Sequence, residues 1–352
     1  MSTPALPDET RDVREAHRFD AAALESYLGR NLPGFTGPLS VRQFKGGQSN
    51  PTYLLGTPRA SYVLRKKPPG VLLPSAHQVE REHRILSALG SSDVPVPRVH
   101  LLCADASVIG TPFYVMEHVV GRIFRSPLMA DASGNAERAA IVDAMNDTLA
   151  RLHRFDWQAA GLSDFGKPGN YMARQVARWS QQYLASKTHE VESMSRLAEW
   201  LPAHVPADDA TSIAHGDFRL ENLILHPTEP RVVAVLDWEL STLGHPLADL
   251  GYNCMLYHLP EGPFAGSGYG LEYADKGIPG EAEYVASYCR RTGRAGVPEL
   301  PYYVAFGMFR LAGIVQGVYK RGLDGNASSE TATQYGPMVQ FLADTAWSLV
   351  GR

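Results

Sequence analysis

Residues 215–222 read HGDFRLEN, and residues 235–239, which follow an apolar run, read VLDWE. Phosphoryl transfer from ATP needs a carboxylate that orients the acceptor hydroxyl and takes its proton, and it needs oxygen ligands that hold magnesium beside the phosphates. The spacing HxDxxxxN, followed by an aspartate at the end of the next predicted strand, supplies these groups. The pattern therefore indicates Asp217 as the catalytic base and Asn222 and Asp237 as metal ligands.

Two charged neighbours and a histidine extend this candidate site. Arg219 lies two residues after Asp217 and is placed to neutralise charge on the phosphoryl group during its transfer. Glu239 lies two residues past Asp237, on the same face if the strand continues, and is therefore a candidate additional metal ligand. His215 is interpreted as a structural histidine that braces the loop. The alternative is that the Asp and Asn residues are ordinary turn residues, but apolar strands on both sides argue against it.

The rest of the chain changes in character near residue 120. Before it, short β-favouring runs alternate with turns and enclose one helix. After residue 135 the pattern is helical, apart from the strand–loop–strand around the quoted motif. The predicted strands comprise residues 39–44, 52–55, 62–64, 98–103 and 113–117, and the predicted helices include residues 20–28, 137–154 and 172–201.

This order of elements predicts an α+β, protein-kinase-like bilobal fold, with a small β-sheet N-lobe that contains one helix and a larger helical C-lobe. We divide the chain into an N-terminal extension with a helix (1–35), an N-lobe nucleotide-binding subdomain (36–119) and a helical C-lobe with the catalytic loop and the acceptor site (120–352).

Composition and charge limit the partners and the location. The 352 residues include 33 Lys and Arg against 37 Asp and Glu, a net charge of −4, so no overall charge favours nucleic acid or an anionic membrane. The three cysteines form no CxxC pair and no zinc spacing, which favours a reducing compartment. The N-terminal residues lack the apolar stretch of a secretory signal, and no run of about 18 apolar residues occurs. We expect a cytoplasmic protein that binds neither nucleic acid nor membrane, and the sequence indicates no oligomeric state.

A basic segment between residues 41 and 70 is the candidate nucleotide pocket. It holds six basic residues and no acidic one, in a chain that is acidic overall. Strand alternation puts Val63 and Arg65 on one face, so that Val63 can pack on adenine while Arg65 reaches the phosphates. Either Glu80 or Glu82, on the following helix, is the candidate partner that holds this cation in place.

A glycine turn in the same segment is a candidate phosphate-binding loop. Gly46, Gly47 and Ser49 lie in the turn GGQSN, whose backbone N–H groups can cover a phosphate. The turn lacks the GxGxxG pattern, and the alternative interpretation is an ordinary β-hairpin turn.

Three stretches resemble the aminoglycoside phosphotransferase/choline-kinase group of small-molecule kinases: HGDFRLEN, VLDWELSTLGHPLADLGY, and VEREHRIL followed by VPVPRV. The resemblance runs from about residue 41 to residue 257. FKGGQSNPTYLL and YVLRKKPPGVLLPSAHQVEREHRIL are most similar to the kinase-like domain that is fused ahead of certain acyl-CoA dehydrogenases. Because the kinase-like pattern fills this chain, we expect no dehydrogenase domain in it.

The resemblance implies the same base and metal ligands as the spacing does. It also implies Glu82 rather than Glu80 as the partner of the phosphate-binding cation. The backbone of residues 117–119, from Glu117 to Val119, would then bind adenine, with Met116 behind the purine.

Two further positions follow from the resemblance. It implies that Asp249 braces the catalytic loop through hydrogen bonds, whereas the alternative for an aspartate there is a helix N-cap. Many relatives have lysine where this chain has Arg65, although the planar guanidinium fork can also grip phosphate. Lys66 and Lys67 stay open as alternatives, because a shift of register would bring either of them to that place.

Together these features predict an ATP- and magnesium-dependent transfer of the γ-phosphate to an alcohol hydroxyl of a small molecule. The resemblance implies a hydroxyacyl acceptor, as a CoA thioester or a related hydroxy acid. The basic residues between 290 and 294, with Arg310, Lys320 and Arg321, favour an anionic acceptor over a polycationic aminoglycoside.

Two other functions stay open at this point. A nucleotide-binding pseudokinase would keep the fold without turnover, although the residues that the chemistry requires are all present. A metal-dependent hydrolase would use His215 and Asp217, but such sites need clustered His or Asp ligands, and the histidines of this chain are scattered.

Overall fold

The computed structural model describes the chain in six segments and divides it into two compact units. The described residues are 9–45, 50–68, 78–261, 268–270, 273–326 and 331–351. The first unit comprises residues 1–122 and 233–239, and the second comprises residues 123–232 and 240–352. The helices in these described segments are too short or too polar to span a bilayer.

A six-stranded antiparallel sheet forms the first unit, in the order β1-β2-β3-β4-β6-β5. Its strands are β1 (Thr10–Arg11), β2 (Ser40–Phe44), β3 (Thr52–Gly56), β4 (Ser61–Lys66), β5 (Val99–Cys103) and β6 (Phe113–Glu117), and its helices are α1 (Ala21–Asn31) and α2 (Val79–Leu89). The five strands predicted for this part of the chain correspond to β2 through β6, and β1 is an addition at the edge.

Helix α1 begins where its sequence provides a cap. The Asp20 side chain accepts the N–H groups of Ala22 and Ala23 over 2.9 and 3.0 Å, which satisfies donors that the first helical turn leaves unpaired. Leu24 and Leu28 lie one helical turn apart and are both fully buried. The helix is therefore held to the sheet by an apolar stripe.

The two faces of the sheet have different roles. Tyr53, Leu55 and Leu64 join the helix α1 leucines in one apolar core. On the opposite face, Val63 of β4 stands directly across from Met116 of β6, and both side chains are buried. Because side chains alternate along a strand, one face of the sheet packs in the core. The other face presents polar groups beside the apolar pair Val63 and Met116.

The second unit is mostly helical. Its helices are α3 (Asn135–Arg154), α4 (Tyr171–Ser186), α5 (Glu192–Ala203), α6 (Pro246–Cys254), α7 (Glu281–Thr292), α8 (Leu300–Leu323) and α9 (Gly336–Val350). Its strands are β7 (Ser212–Ala214), β8 (Leu223–Leu225) and β10 (Thr242–Gly244), and β9 (Val232–Val235) begins at its last residue before the chain enters the first unit. β7 pairs with β10, and the His226 N–H donates to the Arg231 carbonyl over 2.8 Å at the turn that leads into β9.

One predicted helix is wrong. The sequence pattern indicated a single helix over 172–201, but the structure has two, because the chain leaves the helical conformation after Ser186. The buried Gln316 side chain of α8 donates to the Ser186 carbonyl over 2.8 Å and to the Thr188 hydroxyl over 3.1 Å. A distant amide thus satisfies the groups at the break, and local periodicity carries no sign of it.

Helix α6 packs unusually closely on α8. A Cβ placed on Gly251 would lie 2.6 Å from the carbonyl carbon of Tyr303, which no real side chain tolerates. The helix pair therefore depends on glycine at this point, and the position of α6 is fixed by that contact.

Two glycines inside helices should respond to alanine in opposite directions. Gly251→Ala should lower the free energy of unfolding by about 1–3 kcal/mol, because the added methyl group meets the backbone of α8. Gly29→Ala, in α1, has open space around it and should raise the free energy of unfolding by about 0.5–1 kcal/mol. Urea unfolding followed by circular dichroism measures both, and a stabilised Gly251→Ala variant would contradict the packing argument.

Candidate active site

The HGDFRLEN segment forms a loop and a short helical turn directly after β7. Ala214, the last residue of β7, is paired with β10, so the loop starts from a fixed point. Gly216 has a φ of 81°, a left-handed conformation that glycine adopts without strain. Residues 220–222 then form a 3₁₀ turn, in which the Asn222 N–H donates to the Arg219 carbonyl over 2.9 Å.

The carboxylate of Asp217 receives hydrogen bonds on both oxygens. The Tyr252 hydroxyl donates to Oδ1 over 3.1 Å, and the Asn222 side-chain amide donates to Oδ2 over 3.0 Å. The Arg219 Nε lies 3.4 Å from Oδ2, and the same guanidinium contacts Glu221 at 3.0 Å. Because these groups approach from two sides, they give the carboxylate a defined orientation.

A second carboxylate, Asp249 on α6, holds the backbone of this loop. It is buried and accepts the His215 N–H over 2.7 Å and the Gly216 N–H over 3.0 Å. The His215 ring is also buried, and its Nδ1 accepts the Asp217 N–H over 3.2 Å. Burial acts to raise the pKa of Asp249, but hydrogen bonds and electrostatic attraction from His153 and His215 outweigh it and lower this pKa.

Residues of α3, α6 and α7 extend this network. The His153 Nε2 lies 3.4 Å from Asp249 Oδ2, and its Nδ1 lies 2.7 Å from the Tyr288 hydroxyl. Asn253 donates from its side-chain amide to the Phe218 carbonyl over 2.7 Å. The main chain is therefore anchored on both sides of the candidate base.

Sequence reasoning missed four members of this network: His153, Tyr252, Asn253 and Tyr288. Tyr252 and Asn253 follow Asp249 by three and four residues, so the helical period puts them on its face of α6. That spacing could have pointed to both of them. His153 comes from a helix far away in sequence, and no local pattern links it to Asp249.

In the first unit, Arg65 on β4 lies between two carboxylates. Its guanidinium contacts Glu82 at 3.1 Å and Asp237 at 3.2 Å, and the residue is only 9% exposed. Burial acts to lower the pKa of Arg65, but attraction to Glu82 and to the other acidic and phenolic groups around it raises this pKa overall. The guanidinium is therefore a buried, permanent positive charge.

Glu82 on α2 is almost completely buried and is satisfied by three partners. Besides Arg65, it accepts the Asn50 side-chain amide over 2.6 Å and the Tyr114 hydroxyl over 3.0 Å. Burial raises the pKa of Glu82, and Arg65 and these donors limit the rise. Asn50 and Tyr114 were not assigned this role from the sequence, although Tyr114 faces Arg65 across the β4–β6 ladder.

The neighbouring lysines occupy other places. The Lys66 ammonium lies on the core side of the sheet, 6.0 Å from the ring centroids of both Phe19 and Tyr53, where burial lowers its pKa. Lys67 forms an ion pair with Glu80 at 2.7 Å. Of the three cations considered for the phosphates, Arg65 is the one that contacts Glu82 and Asp237.

Asp237 has a left-handed backbone conformation, with a φ of 65°. Aspartate tolerates this region better than most residues do, and such conformations concentrate at functional sites. β9 ends at Val235, and the chain then turns, with the Trp238 indole N–H donating to the Val235 carbonyl over 2.9 Å.

The same turn corrects the argument for Glu239. The strand does not continue past Asp237, and residues 238–240 form a 3₁₀ turn instead. The strand alternation that suggested Glu239 as a metal ligand is therefore wrong. Glu239 nevertheless lies near enough to Arg65 to help raise the pKa of that guanidinium.

The residues predicted to bind adenine lie at the end of β6. Met116 and Val63 form the apolar pair already noted on the face of the sheet opposite the core, the face that also carries Arg65. Glu117 is exposed, and its N–H donates to the Arg98 carbonyl over 2.8 Å, while Val119 follows in a half-buried position. The predicted phosphate-binding turn lies outside the described residues; it comprises Gly46, Gly47 and Ser49.

The predicted magnesium ligands are oxygen donors. The Asn222 amide donates through its nitrogen, so its oxygen is the atom that can bind a cation. Asp237 contacts Arg65 through Oδ1 and has a second carboxylate oxygen. Amide and carboxylate oxygens suit magnesium better than a transition metal. In the described segments, His, Cys, Asp and Glu side chains form no cluster of three or more that could hold a metal.

The basic residues that the sequence linked to an anionic acceptor differ in their partners, and Lys320 is paired with Asp324 at 2.9 Å. Arg291 and Arg294 each form an ion pair with an aspartate at 2.8 Å, so their charge is compensated inside the protein. Arg310 is different, since its guanidinium lies 5.4 Å from the ring centroid of Trp179 and 5.6 Å from that of Tyr252.

Comparison with known families gives a match over most of the chain. The profile of the phosphotransferase enzyme family (APH) matches residues 40–284. That range includes Arg65, Asp217 and Asp249. The match confirms the family resemblance that the motifs indicated.

Curated relatives match almost the whole chain. Acyl-CoA dehydrogenase family member 10 of Mus musculus is 48% identical over 341 residues, which cover 96% of this chain and 32% of that protein. Acyl-CoA dehydrogenase family member 11 of Homo sapiens is 45% identical over 348 residues, which cover 97% of this chain and 44% of that protein. The chain thus spans less than half the length of these relatives.

Solved structures confirm the predicted fold class. A crystal structure from Ralstonia eutropha JMP134, assigned as a candidate aminoglycoside phosphotransferase, has a TM-score of 0.86 and 50% identity, and it covers 94% of this chain and 98% of its own. A thermostable mutant of aminoglycoside phosphotransferase APH(4)-Ia, in a ternary complex with AMP-PNP and hygromycin B, has a TM-score of 0.60 and 16% identity, with coverage of 94% and 99%. At 16% identity the second likeness concerns the fold alone.

Replacing Asp249 by asparagine should loosen the loop. Asp249→Asn replaces a charged acceptor by a neutral amide facing two backbone donors, so the free energy of unfolding should fall by about 3 kcal/mol at neutral pH. Because the native pKa of Asp249 is below its ordinary value of 3.8, this stabilisation is complete above that pH and is lost as the pH falls through the native pKa.

Urea unfolding of both proteins between pH 3 and 7 measures this difference. Asp131→Asn, at an exposed position, is the matched control and should change stability by less than about 0.5 kcal/mol. A difference between wild type and Asp249→Asn that is absent at neutral pH would contradict the assignment.

Proposed function

We propose that this chain, which belongs to the phosphotransferase enzyme family, transfers the γ-phosphate of ATP to an alcohol hydroxyl of a small molecule with the help of magnesium. The observation that carries the proposal is the hydrogen-bonded Asp217 carboxylate on a loop that Asp249 braces. A carboxylate held in this way suits a general base that must be oriented before the acceptor arrives.

Asp217 acts on the acceptor hydroxyl in the proposed reaction. As the acceptor oxygen forms its bond to the γ-phosphorus and the bond to the bridging oxygen of ADP breaks, one oxygen of Asp217 takes the hydroxyl proton. Tyr252 and Asn222 keep the carboxylate oriented through the hydrogen bonds that they donate. Arg219, at 3.4 Å from the same carboxylate, adds a positive charge beside the reacting groups.

The first unit supplies the nucleotide-binding residues. We assign the apolar pair Val63 and Met116 to the adenine, with backbone groups of residues 117–119 alongside, and Arg65 to the phosphates. Glu82 fixes the Arg65 side chain, which would otherwise have several rotamers to choose from. Magnesium, when bound, neutralises charge on the phosphates, and Asn222 and Asp237 are the residues that we assign to hold it.

We further propose a hydroxyacyl compound as the acceptor. The curated relatives are named as acyl-CoA dehydrogenase family members, and this chain is 45–48% identical to part of two of them. A phosphotransferase joined to a protein of that name would act on an acyl compound that carries a hydroxyl group. The acceptor is then a hydroxy acid or its CoA thioester.

Asp217→Asn tests whether the chain is an enzyme. The variant keeps the shape of the side chain but cannot accept the proton, so the rate of phosphate transfer should fall by about 10²- to 10⁴-fold. ATP affinity, measured by calorimetry, should change little. If wild type and variant are equally inert on a broad panel of hydroxy compounds while ATP still binds, the pseudokinase alternative is correct instead.

Two glutamates on α2 provide a matched test of the nucleotide site. Glu82→Gln weakens the grip on Arg65 and should lower kcat/KM for ATP by about 10- to 100-fold. Glu80→Gln changes only the more exposed pair with Lys67, so it should alter kcat/KM by less than about twofold.

Steady-state kinetics at saturating acceptor measures both variants. Thermal unfolding of each one separates a local effect from a loss of folding, since Glu82 is buried. Equal effects of the two substitutions would contradict the assignment of Arg65 to the phosphates.

A further inference from the structure

A cluster of the second unit has no part in the chemistry described so far: two arginines gathered around an aromatic side chain. The guanidinium carbon of Arg310 on α8 lies 5.4 Å from the ring centroid of Trp179, and that of Arg178 on α4 lies 5.7 Å from the same ring. Arg310 also lies 5.6 Å from the ring centroid of Tyr252. Because Tyr252 donates to Asp217 over 3.1 Å, one side chain connects the cluster to the candidate base.

Among the described residues, no carboxylate forms an ion pair with either arginine of this cluster, Arg178 or Arg310. Arg174, on the same helix as Arg178, is already engaged, because its guanidinium donates to the carbonyls of Gly169 and Lys167. Two cations beside one ring repel each other, and an anion bound near them would relieve that repulsion.

The tryptophan at the centre is fixed and carries a spare donor. Its ring lies against Gly313 of α8, where a Cβ would be 3.7 Å from Cε3. The Trp179 Nε1 is buried and has no hydrogen-bond partner among the described residues, whereas a buried indole N–H usually has one. The cluster thus combines the partly buried Arg310 and Trp179 with the exposed Arg178, and it offers two guanidinium groups and one N–H donor.

We propose that Arg310, together with Arg178, binds an anionic group of the acceptor and so presents its hydroxyl to Asp217. The inference rests on the proposed phosphotransfer and adds the residues that select the acceptor. Guanidinium groups bind carboxylates and phosphates through the same paired N–H donors, so the group is either the carboxylate of a hydroxy acid or a phosphate of a CoA thioester. A neutral alcohol lacks this contact.

The test compares acceptors that differ in charge. Straight-chain hydroxy acids of three to six carbons, their CoA thioesters and diols of the same lengths are supplied with ATP and magnesium. The wild type should favour the acids or the thioesters over the matched diols by at least about tenfold in kcat/KM. A preference for acids identifies a carboxylate as the bound group, and a preference confined to thioesters identifies a phosphate of CoA.

Arg310→Gln should bring the kcat/KM for an anionic acceptor close to that for the matched diol. Arg178→Gln should lower the ratio of these two kcat/KM values by a smaller factor. Arg310→Lys should restore part of the ratio, because the charge is kept and the planar fork is lost. Arg196→Gln is the matched control, since Arg196 is exposed and its guanidinium also lies beside a tryptophan, 5.7 Å from the ring centroid of Trp347; it should leave the ratio unchanged.

Three results would overturn the inference. If the wild type uses diols as readily as the anionic acceptors, the acceptor site has no anion subsite. The proposed phosphotransfer function is then unaffected. If Arg310→Gln lowers kcat/KM equally on every acceptor, the arginine acts through Tyr252 on the base rather than on the acceptor. If the wild type transfers phosphate to none of the compounds, the proposed function itself fails.

Discussion

The carboxylate of Asp249 is the constraint on which the catalytic loop depends. A buried charge is costly unless it receives hydrogen bonds, and here two consecutive backbone N–H groups, of His215 and Gly216, supply them. Helix α6, which carries the carboxylate, is positioned in turn by the contact of Gly251 with α8. The packing of α6 on α8 therefore positions Asp249, and Asp249 in turn positions the loop that carries Asp217.

In the first unit, strand alternation and two carboxylates hold the side chain of Arg65 in a defined position. Alternation along its strands puts Leu64 into the apolar core and Arg65 onto the opposite face, so a single sheet both holds the unit together and displays a buried cation. The carboxylate of Glu82 keeps that cation in one place, and the left-handed turn at Asp237 brings a second carboxylate to it. Each unit thus contributes a pre-organised group before any substrate binds, which is the main requirement of phosphoryl transfer.

The acceptor side is where this chain can differ from other phosphotransferases. Arg291 and Arg294 are neutralised by aspartates, whereas Arg310 and Arg178 lie beside Trp179, and Arg310 also lies beside Tyr252, which donates to Asp217. Charge that is left uncompensated beside a reactive group costs stability, and it persists more readily where a ligand makes use of it. We therefore propose that the acceptor preference depends on Arg310 and Arg178, outside the catalytic loop.

Much of this protein followed from sequence alone, because local spacing determines which residue types can act together. The motif around Asp217 indicated the chemistry, and strand and helix periodicity gave the fold class and most of the strands. The family motif also pointed to Glu82 as the partner of Arg65. The tertiary structure decided the support from His153, the break after Ser186, and the turn that removes Glu239 from the strand. These outcomes depend on which elements pack against each other, and a local pattern carries no information about a partner a hundred residues away.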